Sequence, residues 1–298
     1  MSVAILGSIN MDVVLHVDDL PKRGETIIGA NVVQQPGGKG LNQAVAAVRC
    51  GIPVHLTGSV GSDAAGLYLR HFLRDAGVDV DCVVQMAGAM TGHAYICVAA
   101  NGDNTIVVSP GANAAFPVAG VDGARTAEIL LAQLEMPIAA VEAFFRTRSA
   151  QTGLKILNAA PAVSAAHHIL GLADIIVMNE TELESFSGVT LTDAESDIAA
   201  AARKILRPRQ TVIVTLGAAG AMAIDDAGER VVTGRKAAAV DTVGAGDCFC
   251  GVLAAALSKG WAIDHAIDFA NAAASISVTR AGAAGSMPLL KEIEAMLA

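Results

Sequence analysis

Val240-Asp241-Thr242-Val243-Gly244-Ala245-Gly246-Asp247 places a carboxylate directly behind a Gly-x-Gly turn. Arg230 to Val232 and Ala237 to Val240 before it read as short apolar strands, and Phe249 to Leu257 after it reads as a buried helix. At such a junction bare N–H groups and the start of the helix dipole together form an anion site. Asp247 falls in the first helical turn. It can serve there as an ordinary cap, or as a base that takes a proton from a hydroxyl attacking a bound phosphate. Taken alone, the stretch fits both readings.

Gln35-Pro36-Gly37-Gly38-Lys39-Gly40-Leu41-Asn42-Gln43-Ala44 is a second stretch with chemical content. Its glycines allow close backbone approach, and the helix expected over Ala44 to Val48 would point its N-terminus at a ligand. It lacks the Gly-x-x-x-x-Gly-Lys-Ser/Thr spacing of a Walker loop. A lysine and an asparagine beside paired glycines suit a polyhydroxylated molecule. Near the start of the chain, Val3 to Leu6 reads as a strand opening into Gly7-Ser8-Ile9-Asn10-Met11-Asp12. Asn10 and Asp12 lie just beyond a strand's carboxyl end, where open sheets hold ligands. An Asx turn is the plainer alternative.

Elements that position these residues follow from periodicity and turn signals. Val13 to Val17 and Glu25 to Gln35 read as strands around a turn at Pro21 and Gly24, and Val54 to Val60 as another. Ala64 to Ala76 reads as a helix with Leu67, Phe72 and Leu73 inward, closed by Gly77. Thr91 to Ala99 and Asn104 to Ser109 read as a hairpin about Asn101-Gly102-Asp103-Asn104. These strands do not alternate with helices, so a small separate sheet is expected, with His93 and Tyr95 as packing residues. From Glu128 on, strands at Ile129 to Leu134, Leu154 to Leu157, Ile175 to Met178 and Val212 to Leu216 alternate with helices, as in a parallel sheet covered on both faces. Each ends in polar or glycine residues, so one rim collects Glu135, Asn158, Asn179, Glu182, Thr215 and Gly217. Asn271 to Thr279 reads as a helix running into Arg280-Ala281-Gly282-Ala283-Ala284-Gly285-Ser286, a loop able to offer carbonyls to a cation.

Composition narrows the class. The 298 residues are 53% hydrophobic and 16% charged, enough for a large buried core. Twenty Lys+Arg against 29 Asp+Glu give a net charge of -9, which argues against nucleic acid as a partner. No apolar run approaches a membrane span, and no basic leader is visible. Five cysteines, Cys50, Cys82, Cys97, Cys248 and Cys250, have no zinc spacing and suit a reduced, cytoplasmic protein.

The chain resembles the ribokinase/PfkB family of carbohydrate kinases over essentially its whole length. Gly7 to Asp12, Gly37-Gly38-Lys39-Gly40-x-Asn42-Gln43-Ala44 and Asp241 to Asp247 carry the match in order, with Asn179-Glu180-Thr181-Glu182 as a fourth motif. The resemblance implies one α/β domain over 1–298: a central, mostly parallel β-sheet flanked by helices on both faces, with a β lid at about 12–35 and 91–109. It implies homodimerisation through the lids and transfer of the ATP γ-phosphoryl group to the 5-hydroxyl of D-ribose. By resemblance, Asn10, Asp12, Gly38, Lys39, Asn42 and Glu135 hold ribose. Asp247 is the catalytic base, and Gly244, Ala245 and Gly246 form the anion hole. Asn179 and Glu182 serve phosphates and Mg2+; Thr215, Gly217, Gly220 and Asn271 line the nucleotide pocket. Asp241, Val243, Ser277, Arg280, Gly282 and Ser286 match a monovalent-cation site for K+.

Cys248 and Cys250 depart from the family pattern, where threonine and asparagine are usual. Buried, they are inert; near a helix N-terminus with a lowered pKa, Cys248 would instead sense oxidation. His167-His168 lacks metal-ligand spacing and is expected at the surface. Other functions to weigh are kinases of another pentose, a ketohexose or a nucleoside, and a sugar- or nucleotide-binding regulator. A hydride-transfer enzyme is disfavoured because the first loop lacks Gly-x-Gly-x-x-Gly.

Overall fold

The rim expected from the strand ends exists and belongs to a nine-stranded sheet. The computed structural model describes residues 1–101, 103–123, 127–147, 152–192 and 194–298; Gly102 of the expected hairpin turn lies outside them. The large sheet contains β1 (Val3–Leu6), β4 (Val54–Gly61), β5 (Val83–Met86), β8 (Ile129–Ala132), β9 (Leu154–Asn158), β10 (Ile175–Asn179), β11 (Thr211–Thr215), β12 (Gly220–Asp225) and β13 (Gly228–Thr233). Its order is β13-β12-β11-β10-β9-β8-β1-β4-β5. Pairings from β5 to β11 are parallel, while β12 and β13 are antiparallel, so the sheet is mixed at one edge.

Alternate residues of β1 feed two cores. Val3 and Ile5 pack with α1 (Lys39–Arg49), α2 (Ala64–Asp75), α6 (Ala245–Ser258), α7 (Ile263–Ser277) and α8 (Leu290–Leu297). Ala4 and Leu6 pack with α3 (Ile138–Phe144), α4 (Glu180–Ser187) and α5 (Glu195–Ile205). A strand apolar on both sides is the signature of a sheet sandwiched by helices.

The second sheet has the order β3-β2-β6-β7, from β2 (Asn10–Val17), β3 (Asn31–Gly37), β6 (Gly92–Ala99) and β7 (Asn104–Ser109). Asp12 pairs with Gln35 on one side and Ala94 on the other. Since side chains alternate, Asn10, Asp12 and Val14 share one face, while Val13, Tyr95 and Val107 share the other.

Several expectations need correction. The strand expected over Glu25 to Gln35 starts only at Asn31, because pairing with β2 ends at His16. Ala237 to Val240 is not a strand: Val240 N donates to Val278 O at 2.7 Å, at the end of α7. Leu67 is 54% exposed; Leu69 and Leu73 take the inner face, and Leu67 lies about 200° round the helix from Leu69. The helix expected from Ala44 begins at Lys39, which puts Lys39, Asn42 and Gln43 on its first turn. Helix α7 begins at Ile263, eight residues before the expected Asn271. β5 and β12 carry no turn-bounded pattern strong enough to be read beforehand.

Candidate active site

Gly244 initiates α6 in the left-handed region at φ 77°, a conformation glycine adopts without strain. Ala245 N donates to Thr242 O (3.2 Å) and Cys248 N to Gly244 O (2.8 Å). The amides of Gly246 and Asp247 lie between these two, in the turn that has no intrahelical acceptor. Asp247 is 7% exposed. Its Oδ2 accepts from Asn42 Nδ2 (2.9 Å) and its Oδ1 from Gln43 Nε2 (3.0 Å). The carboxylate is therefore held on both oxygens by the first turn of α1, so it does not cap its own helix.

A cavity of about 210 Å³ opens onto this carboxylate, lined also by Lys39, Asn158, Asn179, Glu182, Thr215, Thr242 and Gly244 to Gly246. Rim residues from the ends of β9, β10 and β11 thus converge on the helix entrance. Asn179 and Glu182 form a reciprocal capping box: Glu182 N donates to Asn179 Oδ1 (2.8 Å) and Asn179 N to Glu182 Oε2 (2.9 Å). Asn179 and Glu182 thus cap α4 and line the cavity as well.

Charge in the site is dense. Burial lowers the Lys39 ammonium's pKa, but the carboxylates of Asp247, Glu135 and Glu182 outweigh it and the net shift is upward. Glu182 is raised by burial, against the Asn179 amide and Lys39, with Asp247 adding to the rise. Burial, with Glu135 and Asp247, pushes Asp12 up to about 7 from 3.8. Glu135 accepts from Ser8 Oγ and from Lys39 N, the latter at 3.4 Å. Asn10 Oδ1 accepts from Asn113 Nδ2 (2.7 Å), and Gly38, at φ 89°, brings the chain against Asn10.

Asp12 yields a stability prediction with a definite sign. A carboxyl whose pKa is higher folded than unfolded adds stability below about pH 4, and that stability is lost as pH rises to about 7. Asp12→Asn should therefore raise the urea midpoint relative to wild type at pH 8 and do so much less at pH 4. An equal shift at both pH values would contradict the strain assigned to this carboxylate.

A neighbouring cavity of about 230 Å³ is lined by Gly217, Ala218, Gly234, Arg235, Asn271, Ser275 and Val278. It shares Thr242 and Ala245 with the first, so the two are contiguous. Gly220 does not reach it: at φ 110° it starts β12, where a Cβ would collide with Val232 O and Gly234 N. Asn271 Nδ2 donates to Val232 O (3.0 Å).

The expected cation residues are brought together only in part. Asp241 accepts from Val243 N (3.0 Å) and Gly282 N (2.9 Å), which ties its loop to the 281–286 loop. Arg280 turns its guanidinium to Glu292 (2.5 Å) and to Ser286 O (3.5 Å). Ser277 Oγ donates to Ala274 O and Ser286 Oγ to Ala283 O, each at 2.8 Å. These two hydroxyls are engaged within their own segments.

Cys248 is fully buried, and burial drives its thiol well above the ordinary range despite a bond to Ser277. The low-pKa sensor reading therefore fails. His167 and His168 are exposed, as expected. Sequence reasoning missed Asn113 and Gln133 altogether, and it assigned Gln43 no role.

A helix-terminal anion cradle with a buried carboxylate inside it, at the carboxyl rim of an α/β sheet, defines a small-molecule phosphotransferase site. The family model described as pfkB family carbohydrate kinase matches residues 1–290, and the chain belongs to that family. A ribokinase of Haemophilus influenzae is 38% identical over 296 residues, covering 98% of this chain and 96% of the relative. A solved ribokinase of Thermotoga maritima superposes with a TM-score of 0.88 at 34% identity, covering 99% and 98% of the two chains. That of Arabidopsis thaliana, complexed with ribose and ATP, gives 0.87 at 31%, also over 99% and 98%.

Proposed function

We propose that this carbohydrate kinase is a ribokinase, transferring the γ-phosphoryl group of ATP to the 5-hydroxyl of D-ribose. What carries the reading is the position of Asp247: its carboxylate and the free amides of Gly246 and Asp247 open onto one cavity. The hydroxyl oxygen forms a bond to the γ-phosphorus while its proton passes to Asp247. The bond from that phosphorus to the β,γ-bridging oxygen breaks, and ADP leaves with that electron pair. Gly244 to Gly246 meet charge on the transferring group, and Lys39, which lines the same cavity, neutralises it.

Asn10, Asp12, Gly38, Asn42 and Glu135 bind the sugar hydroxyls, mainly through acceptors. The nucleotide base occupies the Gly217–Asn271 cavity, and Thr215 stands beside its phosphates. The Glu182 carboxylate, with Asn179, fits Mg2+, a hard cation usually held by one or two carboxylates plus phosphates. Glu182 and Asn179 would hold the ion, which would supply positive charge against the phosphates. Asp241, with loop carbonyls from Val243 and the 280–286 segment, offers an all-oxygen set suited to K+. The four-stranded sheet acts as a lid that excludes water.

The face of that sheet opposite Asp12 carries Val32 and Val107, each 62% exposed, and Tyr95 at 46%. It is the face through which two copies pair. Val107→Asp should convert a dimer to monomers in sedimentation velocity; an unchanged sedimentation coefficient would assign pairing elsewhere. Among the described residues no helix is long and apolar enough to cross a membrane. Among the described residues no disulfide joins any of the five cysteines, which supports a reducing compartment such as the cytoplasm.

An ATP-consumption assay with ribose, other pentoses, ketohexoses and nucleosides, with and without K+, tests the substrate. Ribose should give the highest kcat/KM, and K+ should raise it. A cleft of about 470 Å³ between Val14, Val33, Ile96, Val98 and Val240 leaves room for a larger riboside, so a nucleoside that outperforms ribose would displace the proposal.

A further inference from the structure

Behind Asp247 lies a chain of buried side-chain amides, and its polarity can be read from one end to the other. Val177 O belongs to the backbone and can only accept. Asn158 Nδ2 donates to it at 3.3 Å, which turns Asn158 Oδ1 towards α1. Gln43 Nε2 donates to that Oδ1 at 3.0 Å and to Asp247 Oδ1 at 3.0 Å. Gln43 Oε1 accepts from Gln133 Nε2 at 2.6 Å. Both hydrogens and the oxygen of Gln43 are thus engaged. A flipped Gln43 amide would set its oxygen against both Asn158 Oδ1 and Asp247 Oδ1. Gln43 and Gln133 are fully buried, so neither error could be relieved by water.

The packing of α6 on α1 supports this contact. Gly251 lies one turn after Asp247 on the same face, and a Cβ there would collide with Gln43 O and Ala46 Cβ. Its absence lets the two helices approach until the Gln43 side chain reaches Asp247.

We infer that Gln43 is a positioning residue for the base, with its amide orientation set by Asn158, which is itself anchored on Val177 O. The inference rests on Asp247 acting as the base in the proposed reaction. Gln43 presents an N–H to Oδ1 while Asn42 holds Oδ2, so the carboxylate plane is fixed and one lone pair stays directed at the attacking hydroxyl. Other charged or titratable groups that feel Asp247 are Lys39 from α1, Glu182 from α4, Asp12 from β2, and Cys248 and Cys250 from α6.

Gln43→Met, of similar volume, removes the donor. Gln43→Glu keeps the shape but turns the contact into carboxylate against carboxylate, and Gln133→Met releases only the outer link. Gln43→Met should lower kcat by about 10–100-fold while KM for ribose and ATP stays within about threefold, since a hydrogen bond to a charged group is lost. The acid limb of its kcat–pH profile should move to higher pH, because the ionised carboxylate has lost a donor. Gln43→Glu should move that limb further and Gln133→Met less. Wild-type kcat in folded Gln43→Met, or a drop with an unmoved limb in both Gln43 variants, overturns the inference.

A substrate-free arm separates this outcome from a wrong substrate. In the unliganded protein one side-chain NH2 proton of Gln43 should shift in Asp247→Asn and the other in Asn158→Ala. If neither proton responds, the contact itself is refuted. If both respond but wild type does not turn over ribose, the geometry stands and the proposed reaction fails.

Discussion

Asp247→Asn should abolish turnover, lowering kcat by about 10²–10⁴-fold, the usual worth of a positioned general base. Asparagine keeps the size of the side chain and one oxygen, so one of the two amide contacts from Asn42 and Gln43 survives. On the proposed reading the sugar is bound by Asn10, Asp12, Gly38, Asn42 and Glu135, so its affinity should change by no more than a few-fold. Calorimetric titration with ribose, run beside a coupled assay, reads both quantities. Retained kcat would show that the proton leaves by another route. Loss of binding in proportion to kcat would show that the carboxylate holds the sugar and does not activate it.

The second large effect is expected at Gly246. Among the described residues, and apart from its chain neighbours and its own helix backbone, nothing lies within 4 Å of a Cβ built on this residue, and Gly246 lines the cavity at Asp247. Alanine is therefore sterically tolerated by the fold, and within a helix it is favoured over glycine by about 1 kcal/mol. The added methyl enters the space in which the proposed reaction puts the transferring phosphoryl against the helix amides. Gly246→Ala should thus melt at the wild-type temperature or higher while losing about 10²–10³ in kcat, as when one oxyanion donor is removed. Calorimetric melting combined with steady-state kinetics checks the pair. A variant that is both stable and active would place the phosphoryl group away from α6.

Asp247 and the Gly244–Gly246 turn were legible in the sequence because their chemistry is short-range. Glycines just ahead of an apolar helical run and an acid in its first turn already imply free amides beside a carboxylate, although the piece before them is loop and not the expected strand. The convergence of Asn158, Asn179, Glu182 and Thr215 was legible as well, since parallel strands carry all their carboxyl ends to one rim. What escaped depends on contacts distant along the chain. Gln43 reaches Asp247 across 204 positions and Asn113 reaches Asn10 across 103; no local pattern encodes either. Gln133 follows an apolar strand and looks like any residue at a strand's end until Gln43 is seen above it. Gly220 misled in the opposite way: it stands within a glycine-rich rim segment, yet its positive φ serves the turn into β12. Leu67 was misplaced because three apolar positions on α2 allow two inward faces, and only packing of Leu69 and Leu73 selects one.

A crystal structure with ribose and a non-hydrolysable ATP analogue bound together tests the shared helical entrance most directly. The expected result places the 5-hydroxyl within about 3 Å of an Asp247 carboxylate oxygen, with γ-phosphate oxygens on the amides of Gly246 and Asp247. An Asp247 side chain turned from the sugar, or a γ-phosphate seated away from the start of α6, would contradict it.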